Sequence, residues 1–256
     1  MNKNIMLREK LAKWGSKTAK GGFKTEKDIV KKFNSWQHDE DAQQWLNTMG
    51  YDLKKIERVE AIIITGSHKT DLQVQITIFF KKAIAIENLS VKLVSNPQGF
   101  NQIDKRWVDK YVEMWDIPPD VAEALKLFTG EIKPNTTELK DYRRMFLNEM
   151  DIRTQEIIVE FFNKNKILIV SDILKGNDEY PANWIMVVYK KKNEKPEWVL
   201  KHINYVLNVY GSGEVKITDR GSLKIGKITM QRKGGDGGRE TSKMLQFKIN
   251  PMELFN

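Results

Sequence analysis

Thr70-Asp71-Leu72-Gln73-Val74-Gln75 and Leu89-Ser90-Val91-Lys92-Leu93-Val94 are the two stretches on which the reading of this chain turns. Each alternates apolar and polar residues with the two-residue period of a β-strand. An aspartate opens the first, and Ser90 and Lys92 stand two apart on the second, which points both to one face. A carboxylate at a strand start opposite a lysine on the next strand suits a cation held beside a phosphodiester.

The segments around this pair predict a layered α/β arrangement. Val59-Glu60-Ala61-Ile62-Ile63-Ile64-Thr65 reads as a buried strand bounded by Gly66. Upstream, residues 23–36 read as a helix with Phe23, Ile29, Val30 and Phe33 on one face and Lys24, Lys27, Lys31 and Lys32 largely off it. A second helix is expected over Asp41 to Met49, ending at Gly50. Beyond the strand pair, the loop Asn96-Pro97-Gln98-Gly99-Phe100-Asn101-Gln102 leads to helices expected over residues 104–115, 119–129, 138–149 and 153–164. Lys166–Val170 and Trp184–Tyr189 read as further strands, residues 197–210 as a helix, and residues 214–249 as a β-rich, glycine-punctuated end. The expected fold is α/β, a mixed central β-sheet flanked by helices. The whole of 1–256 reads as one domain, with a core over about 15–115 and a helical middle and C-terminal part over about 116–256.

Composition narrows the chemistry. With 43 Lys and Arg against 34 Asp and Glu, the chain carries a net charge of +9, which favours a polyanionic partner, nucleic acid ahead of a membrane surface. No cysteine is present, so thiolate metal sites, disulfides and cysteine nucleophiles are excluded. The three histidines, His38, His68 and His202, are too scattered for a multi-histidine metal site or a serine–histidine–aspartate triad. Neither a signal peptide nor an apolar run of spanning length is present, and the expected location is cytoplasmic.

Oxygen ligands and a nearby lysine are what a Mg²⁺-assisted phosphodiester hydrolysis requires. Asp71 is the candidate main metal ligand, Ser90 a second position on the lysine's face, and Lys92 the group that offsets transition-state charge or orients water. Glu26, in the first turns of the helix over 23–36, is the third candidate carboxylate. Against this stands the plain reading that an isolated Asp and a strand-edge Lys are merely solvated. Ser171-Asp172 followed by Lys190 forms a similar pair, but it lacks a helix glutamate and ends in a three-lysine run. Gly15-Ser16-Lys17-Thr18 lacks the upstream glycine of a phosphate-binding loop, and Gly-Gly-Asp-Gly-Gly does not open an apolar helix.

Candidate DNA contacts fall in three places. Gln231, Arg232, Lys233, Asp236 and Arg239 combine base-edge donors and acceptors with glycines that permit close backbone approach; a flexible polar hairpin tip is the alternative. Phe100 with Asn101 and Gln102 suits an aromatic wedge flanked by amides, or else a ring tucked into the core. Lys17 and Lys20, with Lys13 and Lys24, suit phosphate tracking or a solvated face.

Taken in order, Gly-Phe-Lys-x-Glu-Lys-Asp, Thr-Asp71, Ser-Val-Lys92-Leu-Val-Ser-Asn, Gly-Phe100-Asn-Gln, the late Gln231-Arg-Lys-Gly-Gly-Asp and Leu245-Gln-Phe-Lys-Ile resemble the PD-(D/E)XK type II restriction endonucleases. The likeness is nearest to the small four-base cutters that recognise GCGC, with MspI a more distant member, and runs from about Gly15 to Phe255. It implies Mg²⁺-dependent cleavage of double-stranded DNA at a short palindrome leaving 5′-phosphate ends, by a monomer or weak homodimer whose functional partner is a cognate DNA methyltransferase. It places Asp71 and Lys92 in the active site. Ser90 departs from the acid that the family usually carries there, and Thr70 from its proline. The neutral Ser90 makes a non-catalytic DNA-binding protein on a degenerate nuclease fold the second reading; an RNA-binding or RNA-cleaving protein is the third.

Overall fold

The computed structural model describes residues 21, 24–65, 72–136, 138–176, 179–191, 193–235 and 239–256. The described residues form two compact units, each assembled from separated stretches of chain. One comprises residues within 15–99, 174–206 and 250–256; the other, residues within 100–173 and 207–249.

The first unit is built on a five-stranded mixed sheet. Its strands are β1 (Arg58–Thr65), β2 (Leu72–Phe80), β3 (Ala83–Val94), β5 (Trp184–Tyr189) and β6 (Glu197–His202), in the order β1-β2-β3-β5-β6. Only the β3–β5 pair is parallel. Strict alternation drives β2: Val74, Ile76 and Ile78 are fully buried on one face while Gln73, Gln75 and Thr77 occupy the other. Each such buried branched side chain contributes about 1.5–3 kcal/mol. In β5, Trp184 to Val188 are buried without alternation, as in a central strand covered on both faces. Asn88 and Asn183 set the parallel register by exchanging hydrogen bonds: the Asn183 Oδ1 accepts from the Asn88 N–H at 3.0 Å, and the Asn183 N–H donates to the Asn88 carbonyl at 2.9 Å.

Helices α1 (residues 24–34) and α2 (Glu40–Thr48) cover this sheet's apolar face. Ile29 and Phe33 lie four apart on α1, and Phe33 meets Trp45 with ring centroids 5.1 Å apart. Asn34 then ties α1 to the edge strand, its amide donating to the Ala61 carbonyl at 3.0 Å and accepting from the Ala61 N–H at 2.7 Å. Asp39 caps α2 by accepting from the Ala42 N–H.

The second unit carries an antiparallel sheet of β4 (Asn101–Arg106), β7 (Val215–Ile217), β8 (Leu223–Ile225), β9 (Ile228–Arg232) and β10 (Leu245–Ile249), ordered β4-β10-β9-β8-β7. Helices α3 (Val108–Trp115), α4 (Pro119–Thr129) and α5 (Ile152–Lys164) belong to it. Tyr111, Trp115 and Phe247 form an aromatic nucleus with centroids 4.8 to 5.7 Å apart. Gly130 ends α4 at φ 81°, where a Cβ would come 2.5 Å from the Arg143 carbonyl oxygen, so only glycine lets the 141–146 segment lie this close.

Several expectations are corrected. Lys166–Val170 is not a strand but the start of helix α6 (Lys166–Lys175). Its β-branched run misleads, whereas the buried set Ile169, Val170, Ile173 and Leu174 has helical spacing and Ile167 is exposed. Residues 138–149 contain no α-helix, only a 3-10 turn at Leu147–Glu149, because tertiary partners claim this backbone: Met145 N–H donates to the Leu127 carbonyl and Leu147 N–H to that of Gly221. Residues 197–202 pair with β5 as β6 before helix α7 (Ile203–Gly211) begins. Residues 104–106 extend β4 rather than opening α3. The mixed α/β class stands, and among the described residues no helix is long and apolar enough to cross a membrane.

Candidate active site and nucleic-acid interface

Ser90 and Lys92 lie on the central strand β3, two residues apart on one face, and are registered with Ile185 and Val187 of the parallel β5. Across the antiparallel ladder, Ser90 faces Gln73 of β2. The Gln73 Oε1 is buried without a hydrogen-bond partner among the described residues. Such an acceptor costs about 1–3 kcal/mol to leave unmade. Gln73 was not singled out from the sequence, although its signal was there: it stands two residues after Asp71 in a period-2 stretch. Asp71 itself lies outside the described residues, as do Asp236, Lys17 and Lys20.

Glu26 sits on α1 with Ile29 and Phe33 three and seven residues on, and this apolar register turns the carboxylate inward to 8% exposure. Its Oε2 is buried and unpartnered among the described residues. Burial pushes its pKa upward, and the Lys92 ammonium works against that rise. Glu26 and Lys92, far apart in sequence, thus act on each other electrostatically. The neighbouring Thr25 is buried and accepts from the Lys190 ammonium at 3.0 Å, so Lys190, the first of the three-lysine run, anchors the helix that carries Glu26.

Oxygen donors near a lysine match a hard divalent cation. Glu26 Oε2 and Gln73 Oε1, both buried and without a hydrogen-bond partner among the described residues, are such donors. Among the described residues no group of three or more His, Asp or Glu forms a metal cluster; a full ligand set has to draw on Asp71 or on neutral oxygens.

In the second unit, register places one polar row across all five strands. Gln102 of β4 opposes Lys248 of β10, which opposes Thr229 of β9, then Lys224 of β8 and Lys216 of β7. Gln231 and Gln246 are cross-strand partners on the same face, and Lys105 opposes Gln246. Leu223, Ile225, Met230 and Phe247 take the opposite, buried face. None of the eight residues on the polar face is acidic. Burial lowers the Lys248 pKa. Phe100 is exposed at the start of this unit, with the Lys224 ammonium 5.3 Å from its ring centroid; it is not tucked into the core. Asn101 pairs with Ile249.

Arg232 points to the other side, in register with the buried Leu245. Its Nε donates to the Ser242 carbonyl at 3.1 Å, and its Nη1 lies 4.0 Å from Asp141. Lys233 continues the strand by donating its N–H to the Met244 carbonyl, and Arg239 is an exposed residue preceding the turn Glu240–Lys243. The structure therefore gathers Gln102 and Gln231 on one sheet face with Phe100 beside Lys224, and sets Arg232 apart from them.

Comparison with known proteins shows likeness both to a family model and to solved structures. The family model described as R.HinP1I restriction endonuclease matches residues 49–255. Among solved structures, the crystal structure of restriction endonuclease MspI in complex with its cognate DNA is similar with a TM-score of 0.59. That match has 16% sequence identity and covers 89% of this chain and 88% of that chain. No curated protein matches significantly in sequence.

Proposed function

This chain belongs to the R.HinP1I restriction endonuclease family and is a type II restriction endonuclease; from that premise we propose that it hydrolyses double-stranded DNA at a short palindrome, GCGC, with Mg²⁺ and leaves 5′-phosphate ends. The observation that carries the site assignment is the buried Glu26 carboxylate, whose Oε2 has no hydrogen-bond partner among the described residues and which lies under the influence of Lys92. Asp71, Glu26 and Ser90 would hold the metal, with the Gln73 amide oxygen as a further neutral donor opposite Ser90. The bound Mg²⁺ supplies charge neutralisation at the phosphate and a more acidic water.

The chain's own groups account for the rest of the reaction. Lys92, held by the β3–β5 pairing, presents an ammonium to the phosphate as negative charge builds on its oxygens. Glu26 becomes competent as a ligand only when ionised, and the neighbouring ammonium favours that form. Ser90 carries no charge, so a larger share of the ligand field falls on Asp71 and Glu26. A water oxygen bonds to phosphorus as the bond from phosphorus to the 3′ oxygen breaks; the water gives up a proton, the 3′ oxygen takes one and leaves as a hydroxyl, and the phosphate stays on the 5′ side.

Recognition belongs to the polar sheet face and to Phe100. Glutamine amides suit base edges, while lysines suit guanine acceptors and phosphates. Gln102, Asn101, Gln231, Lys233 and Arg239, with Asp236, are the proposed reading set, Arg232 and the N-terminal Lys17 and Lys20 serve the backbone, and the Phe100 ring serves as a wedge between base pairs.

Incubation of the protein with supercoiled plasmid, in Mg²⁺ or in EDTA, followed by end sequencing, tests this reading. Discrete Mg²⁺-dependent fragments sharing GCGC at their ends are expected. Fragments sharing a different sequence would overturn the specificity, and intact plasmid in every divalent cation would overturn the site.

A further inference from the structure

Three arginines of the second unit converge on one carboxylate. The Arg143 Nε and Nη2 donate to the two Asp141 oxygens at 2.8 and 2.9 Å, and the Arg143 backbone N–H adds a third bond at 3.1 Å. Arg144 Nε stands 3.6 Å from the same carboxylate and Arg232 Nη1 4.0 Å from it, both beyond a hydrogen bond. A single carboxylate thus satisfies one guanidinium and leaves two held in its field. Arg144 Nε is buried without a hydrogen-bond partner among the described residues, and its guanidinium stacks 3.9 Å from the Phe146 ring centroid. Burial and neighbouring arginines lower the pKa values of both Arg144 and Arg232. Three guanidiniums against Asp141, with Glu149 also acting on Arg144, leave the cluster with an excess of positive charge.

The arrangement is built rather than accidental to a solvated surface. Gly130 permits the close approach of the Arg143 backbone, and Arg232 is fixed through the Ser242 carbonyl. Arg143 remains 60% exposed, and the fork on Asp141 uses its Nε and Nη2, leaving Nη1 outside that pair. Tyr142, 73% exposed, stands beside it.

We propose that Arg143, Arg144 and Arg232, oriented by Asp141, form a binding site for a phosphodiester of the DNA backbone. This inference rests on the restriction-endonuclease reading and adds to it a contact that positions the duplex without reading its sequence. An incoming phosphate meets the exposed Arg143 directly, while Arg144 and Arg232, whose side chains are 17% and 11% exposed, add positive charge behind it.

The test is the salt dependence of binding to a short duplex lacking the recognition sequence, measured by fluorescence anisotropy in EDTA. Arg143→Gln removes an exposed cation and is compared with Arg153→Gln, which removes another whose side chain is 75% exposed. Arg143→Gln is expected to flatten the slope of log K against log salt by about 0.9, the value of one phosphate. Between about 50 and 200 mM salt that change shrinks the loss of affinity roughly 3.5-fold. Arg153→Gln is expected to leave the slope unchanged. Equal slopes for wild type and Arg143→Gln, or equal flattening by both variants, would overturn the phosphate site while leaving the enzyme assignment intact. Failure of the wild-type protein to bind any duplex would overturn both.

Discussion

Gln73 on β2 and Ser90 on β3 are direct cross-strand partners, and the Gln73 side-chain oxygen is buried with nothing to accept from among the described residues. Buried polar atoms are rarely left without a partner in protein, water or a bound ion. Replacing Gln73 by Leu removes the unsatisfied acceptor at similar size, so stability is expected to hold or to rise, by up to about 1–3 kcal/mol. Plasmid cleavage is expected to fall at least about tenfold, as for an outer ligand or orienting group of a metal site. A loss of Tm in parallel with activity would assign Gln73 to packing instead.

Asp71 and Lys92 carry the proposed chemistry most directly. Asp71→Ala and Lys92→Ala are each expected to lower single-turnover cleavage by about 100-fold or more, the scale of losing an electrostatic group at developing charge. Duplex affinity in EDTA is expected to change little for Lys92→Ala, because one cation among the chain's 43 Lys and Arg contributes only a small part of nonspecific binding. Cleavage near the wild-type rate in either variant would remove that residue from the active site.

Glu26 links the site to pH. Burial raises its folded-state pKa above the ordinary carboxylate range, with Lys92 restraining the rise. The native state therefore binds the proton more tightly than the unfolded state, and stability declines as pH climbs from the ordinary range through the raised value. Glu26→Gln abolishes that contribution, so its Tm is expected to exceed that of the wild type at neutral pH, with the gain vanishing in acid below the ordinary range. Cleavage should behave oppositely: wild-type activity falls as pH drops through the raised pKa, and Glu26→Gln is weak throughout. Lys92→Met is expected to push the Glu26 pKa higher still, which an NMR titration of the carboxylate would report.

Local periodicity carried most of the first unit. The alternation in β2 and β3 and the helical spacing of Ile29 and Phe33 identified real elements, and with them the placement of Ser90, Lys92 and Glu26. What could not be read was anything decided by partners distant in sequence. Lys166–Val170 carries a β-branched run that packs as a helix, and 138–149 has helix-compatible composition but spends its backbone on Leu127 and Gly221. The polar row from Gln102 to Lys216 exists only through five-strand register, which joins residues more than a hundred positions apart. The same holds for Arg232, whose place in the Asp141 cluster depends on contact with a segment ninety residues upstream. The interleaving of both units along the chain is likewise invisible in linear sequence.

Gln231 and Arg232 are neighbours in sequence yet lie on opposite faces of β9, one beside Gln246 and the other in register with Leu245. If the polar face reads bases, the two residues differ in kind. Gln231→Ala is expected to cost about 1–3 kcal/mol in binding to the cognate duplex, the value of a bidentate amide contact, and almost nothing on random duplex. Arg232→Ala is expected to weaken both duplexes alike, as a backbone contact does. Cleavage profiling over substrates with single-base changes would show relaxed discrimination for Gln231→Ala alone. Equal losses on cognate and random DNA for Gln231→Ala would mean that the sheet face holds the duplex by charge, and that base reading lies with residues 233–239.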